Sequence, residues 1–224
     1  MKFQIITIFP KILNSYLEES ILKRAKIKKI IDIKAHDLRK WTIDRHKTVD
    51  DTPYGGGAGM LMKVDPIYQA ITSLKKEGKN IKNKERKIIL LSASGTKWTQ
   101  KTAVKYSKLK EIIFICGRYE GVDERVKEFI DDEVSIGDYV LTGGELAAMV
   151  IIDSITRLLP GSLGNKESIE EESHSQVGLG EYPQYTRPEI FKVGRKKYQV
   201  PEILLSGDHK KIKDWRKIKQ KKLN

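Results

Sequence analysis

The sequence predicts an α/β protein built on a parallel sheet. Residues 87–92 and 111–116 are apolar, β-branched runs, and a segment with helical character, residues 99–109, separates them. This alternation of strand, helix and strand is expected where helical crossovers join parallel strands. With 224 residues, of which 39% are hydrophobic, the chain is long enough for one such domain and a small appendage.

The amino-terminal elements follow the same alternation. Residues 2–9 form a short β-type run that ends at Pro10. Residues 11–29 carry apolar side chains at helical spacing, and residues 30–35 are typical of another strand. Residues 36–59 are polar and glycine-rich without an apolar period, which predicts a long loop with a functional role.

Three further helices are predicted downstream. Asp65 and Pro66 suit the N-cap and first turn of a helix that extends to about Glu77. A short helix is predicted over residues 123–129. Residues 144–159 predict a long buried helix that ends at Pro160.

The carboxyl-terminal third is predicted to be a separate module. Residues 161–180 are rich in Gly, Ser and Glu, which is typical of a flexible interdomain linker. The predicted domains are therefore residues 1–160, the linker 161–180, and a small, basic, mainly helical domain 181–224. Within the last domain, Gly207 and Asp208 open an amphipathic helix with one apolar side, formed by Ile212, Trp215 and Ile218.

The formal charge of +13 favours a nucleic-acid partner, because Lys and Arg neutralise phosphates. An ordinary solvated, lysine-rich surface is the alternative, and charge alone does not decide between them. The distribution of the charge is more informative, because residues 191–224 hold 12 basic and three acidic side chains. A basic terminal module of this kind favours RNA binding. The chain lacks an uncharged apolar stretch of about 18 residues and a signal-peptide pattern, which predicts a cytoplasmic protein without a membrane partner.

Several classes of site are disfavoured. The single cysteine, Cys116, ends an apolar run and is interpreted as a buried small hydrophobe rather than a reactive thiol. The four histidines lack ligand spacing, so no metal site is predicted. The glycines of residues 55–59 do not fit the dinucleotide-binding pattern, and no phosphate-binding loop occurs, so ATP and NAD chemistry are poorly supported.

Two glycine-punctuated segments are the most informative part of the chain. One reads C-G-R-Y-E-G-V-D-E-R from Cys116, and the other reads S-I-G-D-Y-V-L-T-G-G-E and ends at Glu145. Glycine allows close approaches that a Cβ would block, so such loops can surround a small molecule with main-chain N–H and C=O groups. These segments predict a cofactor pocket made largely of backbone.

Four separated motifs carry a family resemblance. Besides the two segments above, the chain contains Y-G-G-G-A-G-M from Tyr54 and Y-P-Q-Y-T-R-P from Tyr182. With Phe9-Pro10 near the start and S-G-x-H and K-x-W-R in the tail, the sequence resembles the bacterial tRNA (guanine-N1)-methyltransferases, the TrmD family of the SPOUT superfamily. The resemblance implies a trefoil-knot fold, S-adenosylmethionine as methyl donor, and a homodimer whose active site uses both subunits.

The resemblance also implies which residues form the site. The S-adenosylmethionine pocket is expected to be lined by Leu91, Ser92, Gly117, Tyr119, Glu120, Ile136, Gly137, Asp138, Tyr139, Val140, Leu141, Gly143 and Gly144. The carboxylate of Glu120 suits a sulfonium cation, although the sequence alone favours a surface charge at this position. Gly57, Gly59 and Arg187 are expected near the tRNA, with a domain-docking ion pair as the alternative for the arginine.

The implied reaction needs a base and a cation. Methylation of guanine N1 removes its proton while negative charge develops on O6. Arg157 matches the family arginine thought to stabilise that charge, the alternative being a helix-end arginine bonded to the last carbonyls. The family usually has Asp-Ser in the linker, whereas this chain has Glu172-Ser173 followed by His174, so Glu172 is the predicted base and His174 its substitute. Ala93 also departs from a usual proline, which affects loop stiffness.

The predicted function is S-adenosylmethionine-dependent methylation of N1 of the guanine just 3′ of the anticodon in tRNA, the modification that guards the reading frame. Two alternatives stay open. One is a catalytically silent RNA-binding protein that keeps the fold and the basic tail. The other is a related knotted methyltransferase that modifies a different base or ribose.

Overall fold

In the computed structural model, residues 1–163 and 181–220 are described. The chain divides into two compact units, Met1–Gly164 and Asn165–Asn224. Most of the predicted linker, including Glu172 and His174, lies outside the described residues.

The first unit is built on a five-stranded parallel sheet, which confirms the predicted α/β class. Its strand order is β2-β1-β6-β5-β7. The strands are β1 (Lys2–Thr7), β2 (Asp32–Asp37), β5 (Arg86–Lys97), β6 (Glu111–Cys116) and β7 (Asp132–Ser135), while β3 (Asp50–Asp51) and β4 (Leu61–Met62) form a separate antiparallel pair. All six residues of β6 are buried, as expected for a central strand covered on both faces.

Helices cover both faces of the sheet. The first face packs against α1 (Asn14–Leu17), α2 (Ser20–Ile27), α4 (Gln100–Tyr106) and α5 (Glu145–Thr156), in a core that contains Phe114. The other face packs against α3 (Val64–Glu77), in a second core that contains Ile113. Because adjacent residues of a strand point to opposite faces, β6 supplies both cores.

Two helix predictions were wrong in detail. The helix expected over residues 11–29 is broken into a 3₁₀ turn, Pro10–Leu13, and the helices α1 and α2. Ser20 has a φ of +49°, which a continuous right-handed helix cannot contain. Helix α3 begins earlier than predicted: Lys63 is its N-cap, so Asp65 and Pro66 lie inside the first turn, where a carboxylate and a missing N–H are both tolerated.

The sequence patterns missed β7 and the full length of β5. Strand β7 contains a single apolar residue, Val134, so no hydrophobic run marks it. Strand β5 continues to Lys97, but its pairing with β7 shifts register between Leu91 and Thr96, both of which lie opposite Val134. The residues between them bulge out of the ladder, which places a loop at the carboxyl end of β5.

The second unit contains a hairpin that was not predicted. Strands β8 (Ile190–Val193) and β9 (Lys196–Gln199) pair antiparallel and precede α6 (Glu202–Leu205) and α7 (His209–Lys219). The predicted start of the basic helix is confirmed: Asp208 is the N-cap of α7, and its side chain accepts a hydrogen bond from the Lys211 N–H. Within residues 1–163 and 181–220, no helix combines the length and apolarity needed to cross a bilayer.

Candidate functional site

A cavity of about 400 Å³ opens at the carboxyl ends of β5, β6 and β7. Three loops line it: residues 92–94 after the straight part of β5, residues 117–122 after β6, and residues 136–144 after β7. Open α/β sheets bind ligands at the carboxyl ends of their strands, and cavities of roughly 300–1,000 Å³ are the usual size for small ligands. The sheet therefore positions this cavity as the candidate site.

Nearly all of the predicted cofactor residues line this one cavity. Asp138 is the exception: it does not line the cavity, and its side chain forms an ion pair with Lys97. Ala93, the departure from the family proline, also lines the cavity. The structure therefore brings three separated sequence segments together, while the binding role of each residue stays a prediction.

The loop after β6 has an unusual backbone that connects it to the glycine-rich segment. Tyr119 has a φ of +60°, in the left-handed region. The Glu120 N–H donates to the Met60 carbonyl at 3.1 Å, and a Cβ added to Gly59 would lie 2.5 Å from Glu120 Cγ. Gly59 therefore lies directly against a cavity residue, whereas among the described residues only Pro53 lies within 4 Å of a Cβ added to Gly57.

The loop after β7 reaches the middle of the sheet edge at Gly144. Its N–H donates to the Gly117 carbonyl at 3.1 Å. A Cβ added to Gly144 would lie 2.8 Å from Cys116 Cα and 3.0 Å from Leu91 Cβ. Only glycine allows this close approach of three loops, as the sequence pattern indicated.

Sequence reasoning did not single out an ion pair that supports the cavity wall. Arg118 lines the cavity and lies with Nη2 2.9 Å from Oε2 of Glu145, a carboxylate that is 1% exposed. Arg118 Nη1 also donates to the Thr142 carbonyl at 3.1 Å, and the Thr7 hydroxyl donates to Glu145 Oε1 at 2.5 Å. Arg118 and Glu145 both belong to the two glycine-containing segments. This position in the sequence is the signal that pointed to a role at the site.

Cys116 is the last residue of β6, directly before the loop that lines the cavity. Its side chain is fully buried, and this burial raises the pKa of the thiol well above its usual value. The negative charge of the nearby Glu145 carboxylate raises it further. The thiol is therefore protonated at neutral pH and a poor nucleophile. The interpretation of Cys116 as a structural hydrophobe is confirmed by its burial in the core.

Arg157, the predicted catalytic cation, is not among the residues that line the cavity. Arg157 is the C-cap of α5, at the end of the helix opposite to Gly144. With a rise of about 1.5 Å per residue, the two are on the order of 20 Å apart along the helix. Glu172 and His174 lie outside the described residues, and Arg187 is exposed in the second unit.

Two motifs of the second unit contact each other. Arg216 of the K-x-W-R motif lies over the Tyr182 ring at 4.9 Å, and the rings of Trp215 and Tyr185 are 6.4 Å apart. The segment that precedes the hairpin therefore packs on α7. The two motifs, although distant in sequence, are therefore in contact within the second unit.

Fold and cavity together define a class: an α/β protein whose parallel sheet carries a backbone-lined small-molecule site at its carboxyl edge. The particular family is identified by comparison with known proteins. The model of the family described as tRNA (Guanine-1)-methyltransferase TrmD matches residues 1–224. The chain belongs to this family, as its motifs predicted.

Curated relatives agree with this assignment. Proteins named tRNA (guanine-N(1)-)-methyltransferase from Dictyoglomus turgidum and Citrifermentans bemidjiense are 53% and 52% identical to the chain. The matches cover 97% and 98% of this chain and 84% and 85% of those proteins. A third relative of the same name, from Carboxydothermus hydrogenoformans, is 52% identical over the whole chain and 84% of its own length. The predicted enzyme class, a tRNA (guanine-N1)-methyltransferase, is thereby confirmed.

The part of the chain that the structure describes contains no group of three or more His, Cys, Asp or Glu side chains placed to hold a metal ion.

Proposed function

We propose that this protein transfers a methyl group from S-adenosylmethionine to N1 of the guanine just 3′ of the anticodon in tRNA. The observation that carries the proposal is the backbone-lined cavity where the three glycine-containing loops meet, in a chain of the TrmD family. The product protects the reading frame during translation, and we place the enzyme in the cytoplasm, where its tRNA substrate is used.

The residues around the cavity fit this cofactor. S-adenosylmethionine supplies an activated methyl group on a sulfonium cation. The main chain at Gly117 and Gly144 lies at the cavity wall, while Leu91 and Leu141 provide apolar surface for an adenine ring. Glu120, which also lines the cavity, offers a carboxylate that favours a nearby cation.

We also propose that these loops form the trefoil knot of the SPOUT superfamily. Strand β7 lies on the far side of β5 from β6, yet the chain that follows β7 returns to the space between β5 and β6 at Gly144. The contact of Gly144 with both Leu91 and Cys116 supports a path of this kind. A path that crosses the end of β5 is needed to thread one loop past another.

Two side chains are assigned to the chemistry. Arg157 stabilises the negative charge that develops on guanine O6, a role that suits a guanidinium with its fixed set of donors. Glu172 removes the N1 proton, with His174 as the substitute base. Gly59 and Gly57, on the segment beside Glu120, and Arg187 in the second unit are assigned to tRNA binding.

The position of Arg157 supports a homodimer with a composite active site. An arginine side chain reaches about 7 Å, whereas α5 separates Arg157 from the Gly144 end of the cavity by on the order of 20 Å. Arg157 therefore serves the cavity of a second copy. An exposed apolar face supports such a partner: Ile12, Tyr16, Leu146 and Val150 are each about half exposed, and the Tyr16 hydroxyl joins α1 to α5 through Asp153 at 2.5 Å.

Analysis of modified nucleosides tests the reaction. Transcribed tRNA that has guanine 3′ of the anticodon is incubated with the protein and S-adenosylmethionine, digested and analysed by mass spectrometry. We expect 1-methylguanosine, and its loss when that guanine is replaced by adenine. A different methylated nucleoside would favour a related RNA methyltransferase, and binding without any methyl transfer would favour a silent RNA-binding protein.

Mixed dimers test the composite site separately. Gly143→Val blocks the cofactor cavity, and Arg157→Ala removes the catalytic cation, so each variant alone is inactive. If cavity and arginine come from different subunits, a mixed dimer contains one intact site, formed by the cavity of the Arg157→Ala subunit and the arginine of the Gly143→Val subunit. Recovery of activity after mixing supports the proposal, and no recovery in a verified mixed dimer contradicts it.

A further inference from the structure

The β8–β9 hairpin of the second unit presents two aromatic rings to solvent. Phe191 and Tyr198 are direct cross-strand partners with ring centroids 6.4 Å apart. Their exposed fractions are 57% and 55%, and every residue of both strands is exposed. Gly194, with a φ of +57°, makes the tight turn between the strands. The rings therefore stand side by side on one open face of the ribbon.

Such a ribbon is poorly stabilised by itself. A two-stranded hairpin is at best marginally stable in water, and exposed aromatic side chains on a folded protein mark contact surfaces. A phenylalanine ring that is more than half exposed contributes little burial energy to folding. The pair is better explained by a partner than by the stability of the unit.

The charge around the rings identifies the chemistry of that partner. Between Ile190 and Gln199 the chain carries four basic side chains and no acidic one: Lys192, Arg195, Lys196 and Lys197. Lys196 pairs with Val193 next to the rings, and Arg195 lies in the turn. Aromatic faces bordered by cations match RNA, which offers planar bases and a polyanionic backbone. A second copy of this chain, with a net charge of +13, would bring like charges together.

The geometry further restricts the partner to unpaired nucleotides. In an RNA duplex the bases are stacked on one another and only their edges are accessible in the grooves. Bases in loops and single-stranded ends can turn outward and stack on a protein ring. Two adjacent rings provide room for one or two such bases.

We propose that Phe191 and Tyr198 form a stacking site for unpaired nucleotides of the tRNA substrate, with Arg195 and Lys196 neutralising the adjoining phosphates. This inference rests on the proposed function, because it takes tRNA as the ligand. It assigns to the hairpin a role separate from the cofactor cavity. The rings hold bases, and the basic residues at the turn contribute the salt-dependent part of the same contact.

A double variant tests the stacking site in the full-length protein. Phe191→Leu with Tyr198→Leu keeps apolar side chains on the strands but removes the rings. Base–aromatic stacking predicts at least about a 5-fold weaker affinity for tRNA. The slope of log affinity against log salt should be unchanged, because no charge is removed, and cofactor affinity should stay at the wild-type value.

Two control variants separate stacking from folding and from charge. The exchange Phe191→Tyr with Tyr198→Phe keeps both aromatic faces and should bind tRNA like wild type. The pair Arg195→Gln with Lys196→Gln keeps the rings and should reduce the salt slope by about 0.7 to 0.9 for each lost phosphate contact. A paired RNA duplex should bind to wild type and to the leucine variant with equal affinity, because its stacked bases do not use the rings.

Three outcomes would overturn the inference. Unchanged tRNA affinity in the leucine variant shows that the rings do not bind nucleotides. A change in oligomeric state without a change in the affinity of each dimer for tRNA assigns the surface to a second copy. If the aromatic exchange variant also binds tRNA more weakly than wild type, the loss in the leucine variant comes from altered folding and not from missing rings. Methyl transfer by the wild-type protein is measured in parallel. If the wild type methylates tRNA and the leucine variant binds tRNA normally, the proposed function stands and only the stacking site is rejected.

Discussion

Arg118 and Glu145 form an ion pair that joins the loop after β6 to the first residue of α5: Arg118 Nη2 lies 2.9 Å from Glu145 Oε2. The arginine also holds the Thr142 carbonyl, and the carboxylate accepts a hydrogen bond from Thr7 at the end of β1. One ion pair therefore links three segments at the carboxyl edge of the sheet. Its energetic role is set by burial, since the carboxylate is almost fully enclosed.

Arg118→Met should destabilise the protein and weaken cofactor binding. It leaves a buried carboxylate unpaired, which typically costs about 3–5 kcal/mol of unfolding free energy. Adding Glu145→Gln removes that charge and should restore part of the stability, as urea unfolding would measure. Cofactor affinity should stay low in the double variant, because the bond to Thr142 is still missing. Restoration of both properties would contradict the role of Arg118 in positioning the loop.

Substitutions at Gly143 and Gly144 should separate side-chain from backbone obstruction. A Cβ on Gly143 would lie 2.2 Å from Arg118 Nε, whereas a Cβ on Gly144 meets the Cys116 backbone. We expect Gly143→Val to abolish S-adenosylmethionine binding in calorimetry with a nearly normal circular dichroism spectrum. Gly144→Ala should lower both affinity and thermal stability. Gly207→Ala, in the second unit, should leave cofactor affinity unchanged, because no described atom lies within 4 Å of the added Cβ, although its φ of +71° strains an alanine; equal affinities for all variants would disprove the cavity assignment.

Much of the fold follows from local patterns, because the buried strands β1 and β6 are apolar runs and α5 is apolar around most of its circumference. Strand β7 could not be found in this way, since only Val134 is apolar and its pairing partner is distant in sequence. The hairpin was missed because both of its faces are exposed, so no alternation of burial marks it.

The candidate site shows the same difference between local patterns and contacts that are distant in sequence. Glycines indicate close backbone approaches, so the loops around the cavity could be predicted from the residues themselves. Arg118 could not be distinguished from a surface arginine, because its buried partner comes from another segment. The distance of Arg157 from the cavity depends on the length of α5, which the motif around the arginine does not encode.

Removing one partner of the buried ion pair at the opposite edge of the sheet should strongly destabilise the protein. Arg86 and Glu111 are 5% and 0% exposed, and the guanidinium also donates to the Gly78 carbonyl at 2.8 Å. Glu111→Ala should lower the unfolding free energy by about 3–5 kcal/mol in urea titrations, because a buried cation loses its partner. Lys110→Gln, which breaks an exposed pair with Glu85, should have little effect. Similar losses for both variants would show that burial does not set the energy.

Stability should fall on the acid side because of His36. Burial lowers the pKa of this imidazole, with Glu77 opposing and Lys40 reinforcing the shift. The unfolded chain then takes up a proton near the usual pKa of 6.5 while the folded protein does not, so stability present above pH 6.5 is lost as the pH falls below it. His36→Gln should flatten the dependence of unfolding free energy on pH between about 5 and 7. An identical pH profile in wild type and variant would refute this role.

The base can be tested by two substitutions at one position that should act in opposite directions. Glu172→Gln keeps the size of the side chain but removes the proton acceptor, and general-base catalysis typically contributes about 10²- to 10⁴-fold. Single-turnover methyl transfer should therefore fall at least about 10²-fold, while cofactor and tRNA affinities stay near wild type. Glu172→Asp restores the usual family residue and should retain or raise activity. If Glu172→Gln stays active and His174→Ala loses transfer, the imidazole is the base.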